Sequence, residues 1–382
     1  MKNLGLATRA IHAGEPRPAI EGAICVPVFQ SSTFEYAGQG SYHDLRYMRL
    51  SNTPSHVALH AKLAALENAE DALVTASGMA AVSAVLLTVL QGGDHLLCQD
   101  CLYGGTYDFI TKDLPALGID HDFIDPNRPE TWAEALRPTT RAFYCETISN
   151  PLMQVMDLLA VVEFCKQHGL ISIIDNTFAS PIFFRPAEHG FDLSLHSGTK
   201  YLNGHSDIVA GAILGPRDMI VKITHKANHL GGSLDAHACF LLHRGLKTLP
   251  LRMAYHHQSA LEMARFLEAH PAVSRVFHPG LESNPDHARA AELLDGYPGM
   301  LSFELKGGLA AAESFIDKVE LPFIAPSLGG VETLVTRPAT TSHAGLSPAE
   351  RQAVGISDGL VRVSIGLEDT ADLIADFDQA LA

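Results

Sequence analysis

Apolar residues of this chain change their spacing several times, and each change predicts a different element. Residues 1 to about 50 show no sustained period and carry many Gly, Pro and aromatic residues, among them Pro16, Pro18, Pro27, Tyr36, Tyr42 and Tyr47, which reads as an irregular arm packed against something else. From His56 the apolar positions Val57, Leu59, Leu63 and Leu66 recur at helical spacing as far as Glu67. A short run, Ala72-Leu73-Val74, then leads through Ser77-Gly78 into the almost wholly apolar stretch Met79–Leu90, a buried helix closed by Gly92-Gly93. Further short apolar runs follow at 95–98, 142–145, 171–174, 193–195 and 209–213. Helical stretches separate them, and the best signed has Asp157 as N-cap, an apolar face at Leu158, Val161, Val162 and Cys165, and Gly169 as stop. Strands buried on both faces and joined by helical crossovers predict an α/β unit with a doubly wound sheet. From Asp235 onward, long amphipathic helices over about 236–269 and then shorter strands mixed with helices predict a second, α+β unit. The expected division is an arm at 1–54, an α/β domain at 55–235 and a C-terminal domain at 236–382.

Composition narrows the function classes. The chain has 382 residues, enough at about 150 per domain for two to three folding units. Apolar residues make up 47% and charged ones 18%, which excludes a disordered chain. The net charge of −16 repels phosphate backbones and anionic membrane surfaces, so no nucleic-acid or membrane partner is expected. No secretory h-region follows Met1, and Met79–Leu90 is too short to span a bilayer, so a cytoplasmic protein is expected. Six cysteines in so long a chain predict reduced thiols rather than a disulfide framework. Cys98 and Cys101 form a C-x-x-C, but no second pair or suitably spaced histidines complete a metal set, and no metal is expected.

In open α/β sheets ligands sit beyond the carboxyl ends of the strands, and here those positions are polar. Ser77-Gly78-Met79 opens a helix with small residues and leaves N–H groups for a phosphate. The run 171–174 ends on Asp175-Asn176-Thr177, and one strand–helix–strand interval later stands His196-Ser197-Gly198-Thr199-Lys200. A lysine among small hydroxyl residues at a strand end is placed for Schiff-base chemistry, with Ser197 and Thr199 free for a phosphate. Lys200, Asp175 and the Ser77–Met79 turn together describe a pyridoxal 5'-phosphate site: the aldehyde needs the amine, the pyridine nitrogen needs the carboxylate, and the phosphate needs the turn. One competing pattern exists, since Ser197-Gly198-Thr199-Lys200 also fits the S-x-x-K of serine acyl-enzymes. The accompanying K-T-G is absent.

Beyond these residues stand Tyr47-Met48-Arg49, Leu102-Tyr103-Gly104-Gly105-Thr106, Glu146-Thr147-Ile148-Ser149-Asn150-Pro151, Ser327-Leu328-Gly329-Gly330-Val331-Glu332-Thr333 and Arg362-Val363-Ser364. With them the chain resembles the Cys/Met-metabolism family of pyridoxal phosphate enzymes, whose members include cystathionine γ-synthase, cystathionine γ- and β-lyases, methionine γ-lyase and O-acetylhomoserine sulfhydrylase. The resemblance implies a fold-type-I architecture: a mostly parallel seven-stranded sheet with helices on both faces, plus a smaller α+β C-terminal domain. It implies that Lys200 carries the cofactor and shuttles protons, that Asp175 pairs with the pyridine nitrogen, and that Tyr103 stacks on the ring and serves the leaving group. Gly78, Met79, Thr177, Ser197 and Thr199 would hold the cofactor, while Tyr47 and Arg49 would complete the phosphate site of a neighbouring subunit in a homotetramer built as a dimer of active dimers. Arg362 would clamp the substrate α-carboxylate, with Asn150 and Ser327 beside it.

The implied activity is elimination or replacement at the Cβ or Cγ substituent of a sulfur amino acid or activated homoserine, nearest to the cystathionine γ-synthase and γ-lyase type. Cystathionine β-lyase, methionine γ-lyase and O-acetylhomoserine sulfhydrylase are the alternatives. Three positions bear on that choice. Gly105 stands where methionine γ-lyases carry a cysteine. Asp108 stands where many γ-synthases and γ-lyases carry an arginine for the distal end of cystathionine, whereas Glu332 matches their type.

Overall fold

A computed structural model describes residues 4–36, 38, 45–345 and 347–382. Seven strands form the larger sheet: β1 (Asp71–Thr75), β2 (His95–Gln99), β3 (Asp120–Ile124), β4 (Thr140–Glu146), β5 (Ile171–Asp175), β6 (Leu193–Ser197) and β7 (Gly211–Gly215). Their order is β1-β7-β6-β5-β4-β2-β3, and only β7 runs antiparallel to its neighbours. This is the mostly parallel seven-stranded sheet expected above. Strands β2 and β7 are buried along their whole length, because helices cover both faces and leave no solvent side for polar alternation.

On one face lies α3 (Gly78–Val89), packed on β6 and β7 and against the helix Arg217–Leu230. The other face carries α2 (Pro54–Glu67) and the helix Leu158–His168. That last helix has the predicted ends: the Asp157 side chain accepts from Ala160 N–H at 3.0 Å, and Gly169 adopts the left-handed conformation at φ 64°. The sequence reading missed β3, whose Asp120-His121-Asp122 start is polar because the strand is a sheet edge paired only with β2.

A second sheet, in the order β10-β11-β12-β9-β8, is built from β8 (Val273–Phe277), β9 (Met300–Leu305), β10 (Phe323–Ile324), β11 (Leu334–Thr336) and β12 (Leu360–Ser364). Its core holds Phe303, Phe315 and Phe377, whose rings meet edge to face at 5.3 and 5.1 Å. Two helices link the sheets. Ala236–Leu246 packs on α2 and gives Cys239, Leu242 and Leu246 to the large-sheet core, while Leu249–Ala269 runs on to β8. Among the described residues no helix is long and apolar enough to cross a membrane.

The N-terminal helix α1 (Leu6–His12) is held to α2 by a buried lysine. Lys62 is fully buried, donates to the carbonyls of Ala10 and Ile11 at 2.7 and 3.2 Å, and lies 3.5 Å from Glu15. Burial pushes its ammonium down to about 8, opposed by the Glu15 carboxylate. Replacing Lys62 with alanine leaves two carbonyls without a donor and weakens the compensation of Glu15. We expect a loss of about 3 kcal/mol, at the low end for a broken buried pair because Lys247 still reaches Glu15 at 2.8 Å. The denaturant midpoint of unfolding checks it, and an unchanged midpoint would contradict the assignment.

Candidate active site

The carboxyl ends of β4, β5 and β6 open into a cavity of about 630 Å³ that also reaches α3 and the second sheet. At its floor, Ser77 caps α3 by accepting from Ala80 N–H at 3.0 Å, and the Gly78 and Met79 N–H groups remain available at the positive end of the helix. Gly78 packs tightly here: a Cβ would stand 3.1 Å from Ser197 Cβ and 3.2 Å from its Oγ. The Ser197 N–H donates to Thr177 Oγ1 at 2.8 Å, which binds the β6 turn to the β5 turn. Thr199 is engaged differently, its hydroxyl meeting the Ala210 N–H at 3.1 Å and carbonyl at 3.3 Å.

Asp175 ends β5 and accepts from the Thr177 N–H at 2.9 Å. Burial raises its carboxyl above the ordinary value, while the Thr177 hydroxyl and N–H and the nearby His196 oppose the rise. No ion pair to it exists among the described residues, so hydrogen bonds from Thr177 support its charge and it can still take a cationic N–H.

Lys200 follows β6 and donates from Nζ to Ser327 Oγ at 2.6 Å. Burial, and then the Arg362 charge, push its amine down to about 8. Ser327 sits at φ 90°, a backbone conformation a residue with a side chain holds only under external constraint. That constraint is visible on both sides: its hydroxyl receives Lys200 and its carbonyl receives Arg362 Nη2 at 3.0 Å. Gly329, two residues on, has φ 73°, and a Cβ there would lie 2.7 Å from the Tyr201 backbone nitrogen, so only glycine lets this loop press against the lysine turn.

Arg362 comes from β12 and is 5% exposed. Its Nη1 donates to Asn150 Oδ1 at 3.1 Å, but its Nε is buried without a partner. Burial pushes this guanidinium down to about 10. A buried arginine in a cavity lining, whose Nη1 and Nη2 each keep an N–H beyond those given to Asn150 and Ser327, is built for an incoming carboxylate. Tyr103, at the start of α4 (Gly104–Asp108), is 48% exposed and borders the same space.

Sequence-derived candidates therefore separate into two groups. Those at the strand ends and in the second sheet converge on one cavity. Tyr47 and Arg49 lie outside it: Arg49 donates to the Asn228 carbonyl at 3.0 Å and stands 5.6 Å from the Tyr47 ring. Asp108 is exposed and pairs with Lys112 at 2.7 Å, away from the cavity lining. Glu332 accepts from Ser206 Oγ at 3.0 Å on the Ser327 loop. The Cys98 and Cys101 thiols are buried and free, and burial pushes the latter up to about 12. Among the described residues no group of His, Cys, Asp or Glu could hold a metal.

Sequence reasoning missed Glu146. It sits in the cavity wall, accepting from Tyr103 N–H at 2.6 Å. The signal was its place at the end of an apolar run, the same position that singled out Asp175. A second cavity of about the same volume, bordered by Asp100, Asp125, Glu268 and Asp286, has no lysine and no helix start of small residues.

These residues fit pyridoxal 5'-phosphate on three counts: a half-buried carboxylate at Asp175 with no ion-pair partner among the described residues, free helix N–H groups over Gly78, and an amine shifted toward its nucleophilic form. They fit a serine acyl-enzyme poorly, because Lys200 bonds to Ser327 rather than Ser197. Comparison with known proteins agrees. The family of Cys/Met metabolism PLP-dependent enzymes matches residues 7–382. The chain is 40% identical to a cystathionine gamma-lyase of Bacillus subtilis, over 98% of each chain. It is 39% identical to an L-methionine gamma-lyase of Treponema denticola, over all of this chain and 98% of that one. The solved structure of metB from Corynebacterium glutamicum superposes with a TM-score of 0.94 at 35% identity, covering 99% of this chain and 98% of that one. On residues, fold and these matches together, the chain belongs to the pyridoxal phosphate-dependent enzymes of Cys/Met metabolism.

Proposed function

We propose that the protein breaks or exchanges the bond to the γ- or β-substituent of a sulfur amino acid or activated homoserine, in the manner of a cystathionine γ-synthase or γ-lyase. The observation that carries this reading is the hydrogen-bonded chain Lys200–Ser327–Arg362–Asn150, which lines the same cavity as Asp175 and the start of α3. When bound, pyridoxal phosphate supplies an aldehyde for the substrate amine and a ring that withdraws electrons from Cα.

The chain's own residues do the rest. The Gly78 and Met79 N–H groups and the Ser197 and Thr199 turn hold the phosphate, Thr177 orients Asp175, and Asp175 holds the proton on the pyridine nitrogen. Arg362, positioned by Asn150 and Ser327, binds the substrate carboxylate and so fixes which Cα bond faces Lys200. The Lys200 amine, mostly uncharged above about pH 8, takes the Cα proton and can return it further along the side chain. Tyr103 stands at the mouth of the cavity, where a phenol can give its proton to a departing thiolate.

Gly105 favours the γ-synthase and γ-lyase type over methionine γ-lyase. A Cβ there would approach Tyr103 Cε1 to 2.8 Å and Met79 Sδ to 3.1 Å, so a cysteine would displace the tyrosine. We read residues 1–54 as an arm that carries Tyr47 and Arg49 to a neighbour's phosphate site in a homotetramer, with a cofactor domain at 55–235 and a C-terminal domain at 236–382. A panel of cystathionine, methionine, homocysteine, cysteine and O-acetyl- and O-succinylhomoserine, assayed for 2-oxoacid release and thiol exchange, tests the reading. Turnover of cystathionine, or of an activated homoserine with a thiol, well above that of methionine is expected. Dominant methionine cleavage would overturn the preference, and no turnover of any would overturn the function.

A further inference from the structure

Strands β4 and β5 are parallel and in register, so Glu146 stands opposite Asp175 at the carboxyl edge of the sheet. Tyr144 and Ile173, two residues earlier on each strand, lie in the same core cluster, which puts both acidic side chains on one face. Both line the cavity. Neither has an ion-pair partner among the described residues, although the floor of one site holds two carboxyl groups on adjacent strands.

Glu146 is also mechanically engaged. Its Oε1 accepts from the Tyr103 N–H at 2.6 Å, and its own N–H donates to Gln99 Oε1 at 2.9 Å. Gln99 Nε2 in turn donates to the Cys101 carbonyl at 2.5 Å. The Gln99–Tyr103 loop is thus stapled to the end of β4 at both of its ends, and Tyr103 begins α4 from that anchor.

We propose that Glu146 is a positioning residue: a neutral carboxylic acid that fixes Tyr103 at the cavity mouth and leaves Asp175 the single negative charge at the cavity floor. This rests on the proposed function above, in which Asp175 faces the cofactor's ring nitrogen. Two like charges on neighbouring strands in a buried site do not both ionise, and the proton goes to the group with less support for its charge. Asp175 has the Thr177 N–H and hydroxyl and the His196 side chain in its favour. Glu146 has only one backbone N–H, and the titratable groups around it, Tyr144 on its own strand, Asp175 on β5, and Tyr103 and Cys101 on the stapled loop, bring no cation. Burial, followed by the Asp175 charge, pushes its carboxyl well above the usual carboxylate range. A neutral acid can still accept from Tyr103 through its carbonyl oxygen, so positioning does not require the charge.

The test uses the full chain without cofactor at neutral pH. The infrared difference between wild type and Glu146→Gln is expected to show the loss of a protonated-carboxyl band, and that between wild type and Asp175→Asn the loss of an ionised carboxylate. The reverse assignment in either difference overturns the proposal, and each variant suffices if the other does not fold. Positioning is read separately by titrating pyridoxal 5'-phosphate. Glu146→Leu, which leaves the Tyr103 N–H unpaired, should weaken its affinity about tenfold, and Glu146→Gln, which keeps an acceptor, should recover most of that. Equal losses in both variants would also overturn it. A wild-type chain that binds no pyridoxal phosphate would count against the proposed function, while the infrared result would still decide the carboxyl pair.

Discussion

Lys200→Ala is expected to lower turnover by roughly 10⁴-fold, the upper range for loss of a positioned proton-transfer group, while the chain stays folded. The amine is the only lysine nitrogen among the residues lining the cavity, and it stands within 2.6 Å of the strained Ser327. No neighbour can therefore take over its reach toward a cofactor aldehyde or a substrate Cα. The fold should survive, because a side chain that burial already pushes toward its neutral form is relieved of desolvation when it is truncated. Two measurements check this: 2-oxoacid release from the best substrate, and borohydride reduction followed by mass analysis, which should attach cofactor to wild type at Lys200 and leave the variant unlabelled. Turnover near the wild-type level would remove Lys200 from the chemistry.

Arg362→Leu should cost about 3 kcal/mol of substrate binding, or roughly two orders of magnitude in kcat/KM, carried chiefly by KM. The guanidinium is buried, Nη1 and Nη2 each give one of their two N–H groups to Asn150 and Ser327, and Nε has no partner of its own. Lysine should not rescue it, since its donors all sit on one nitrogen and cannot reproduce the planar fork that reaches Asn150 and Ser327 from separate nitrogens while holding a carboxylate. A second effect is specific to this geometry. The Arg362 charge is one of two causes that hold Lys200 near 8 rather than 10.5, burial being the larger. Depression of an amine's pKa disfavours its ammonium, so the nucleophilic free amine gains as pH rises through about 8. Cofactor loading by wild-type apoprotein should thus accelerate with a midpoint near pH 8, and the Arg362→Leu midpoint should lie higher. Stopped-flow absorbance over a pH series would show it; an unshifted midpoint would mean that Arg362 does not act on Lys200.

The strands that were legible in the sequence were those whose burial is independent of neighbours. Residues 171–174 and 193–195 are apolar but for one small serine each, Ser172 and Ser194, because helices cover both faces, and a run of that kind announces itself. Strand β3 was not legible, since a half-exposed edge carrying Asp120 and Asp122 has the composition of a loop. The site divided in the same way. Lys200, Asp175 and the Ser77–Met79 turn stand at the ends of legible elements, and their residue types alone suggested the cofactor. Arg362 and Ser327 emerged only through resemblance to a family, because nothing local distinguishes an arginine on one sheet from any other until it lies against a lysine on another.

By itself the sequence determined the sheet's apolar strands, the helix that offers its N-terminus, and the lysine and carboxylate at neighbouring strand ends, because each is a property of a few consecutive residues and their periodicity. Tertiary structure alone decided that Ser327 at φ 90° bridges Lys200 to Arg362, that Tyr47 and Arg49 lie outside the cavity of their own chain, and that Glu146 faces Asp175 across a strand register. Those facts depend on pairs of residues far apart in the chain, whose meeting is set by packing and register.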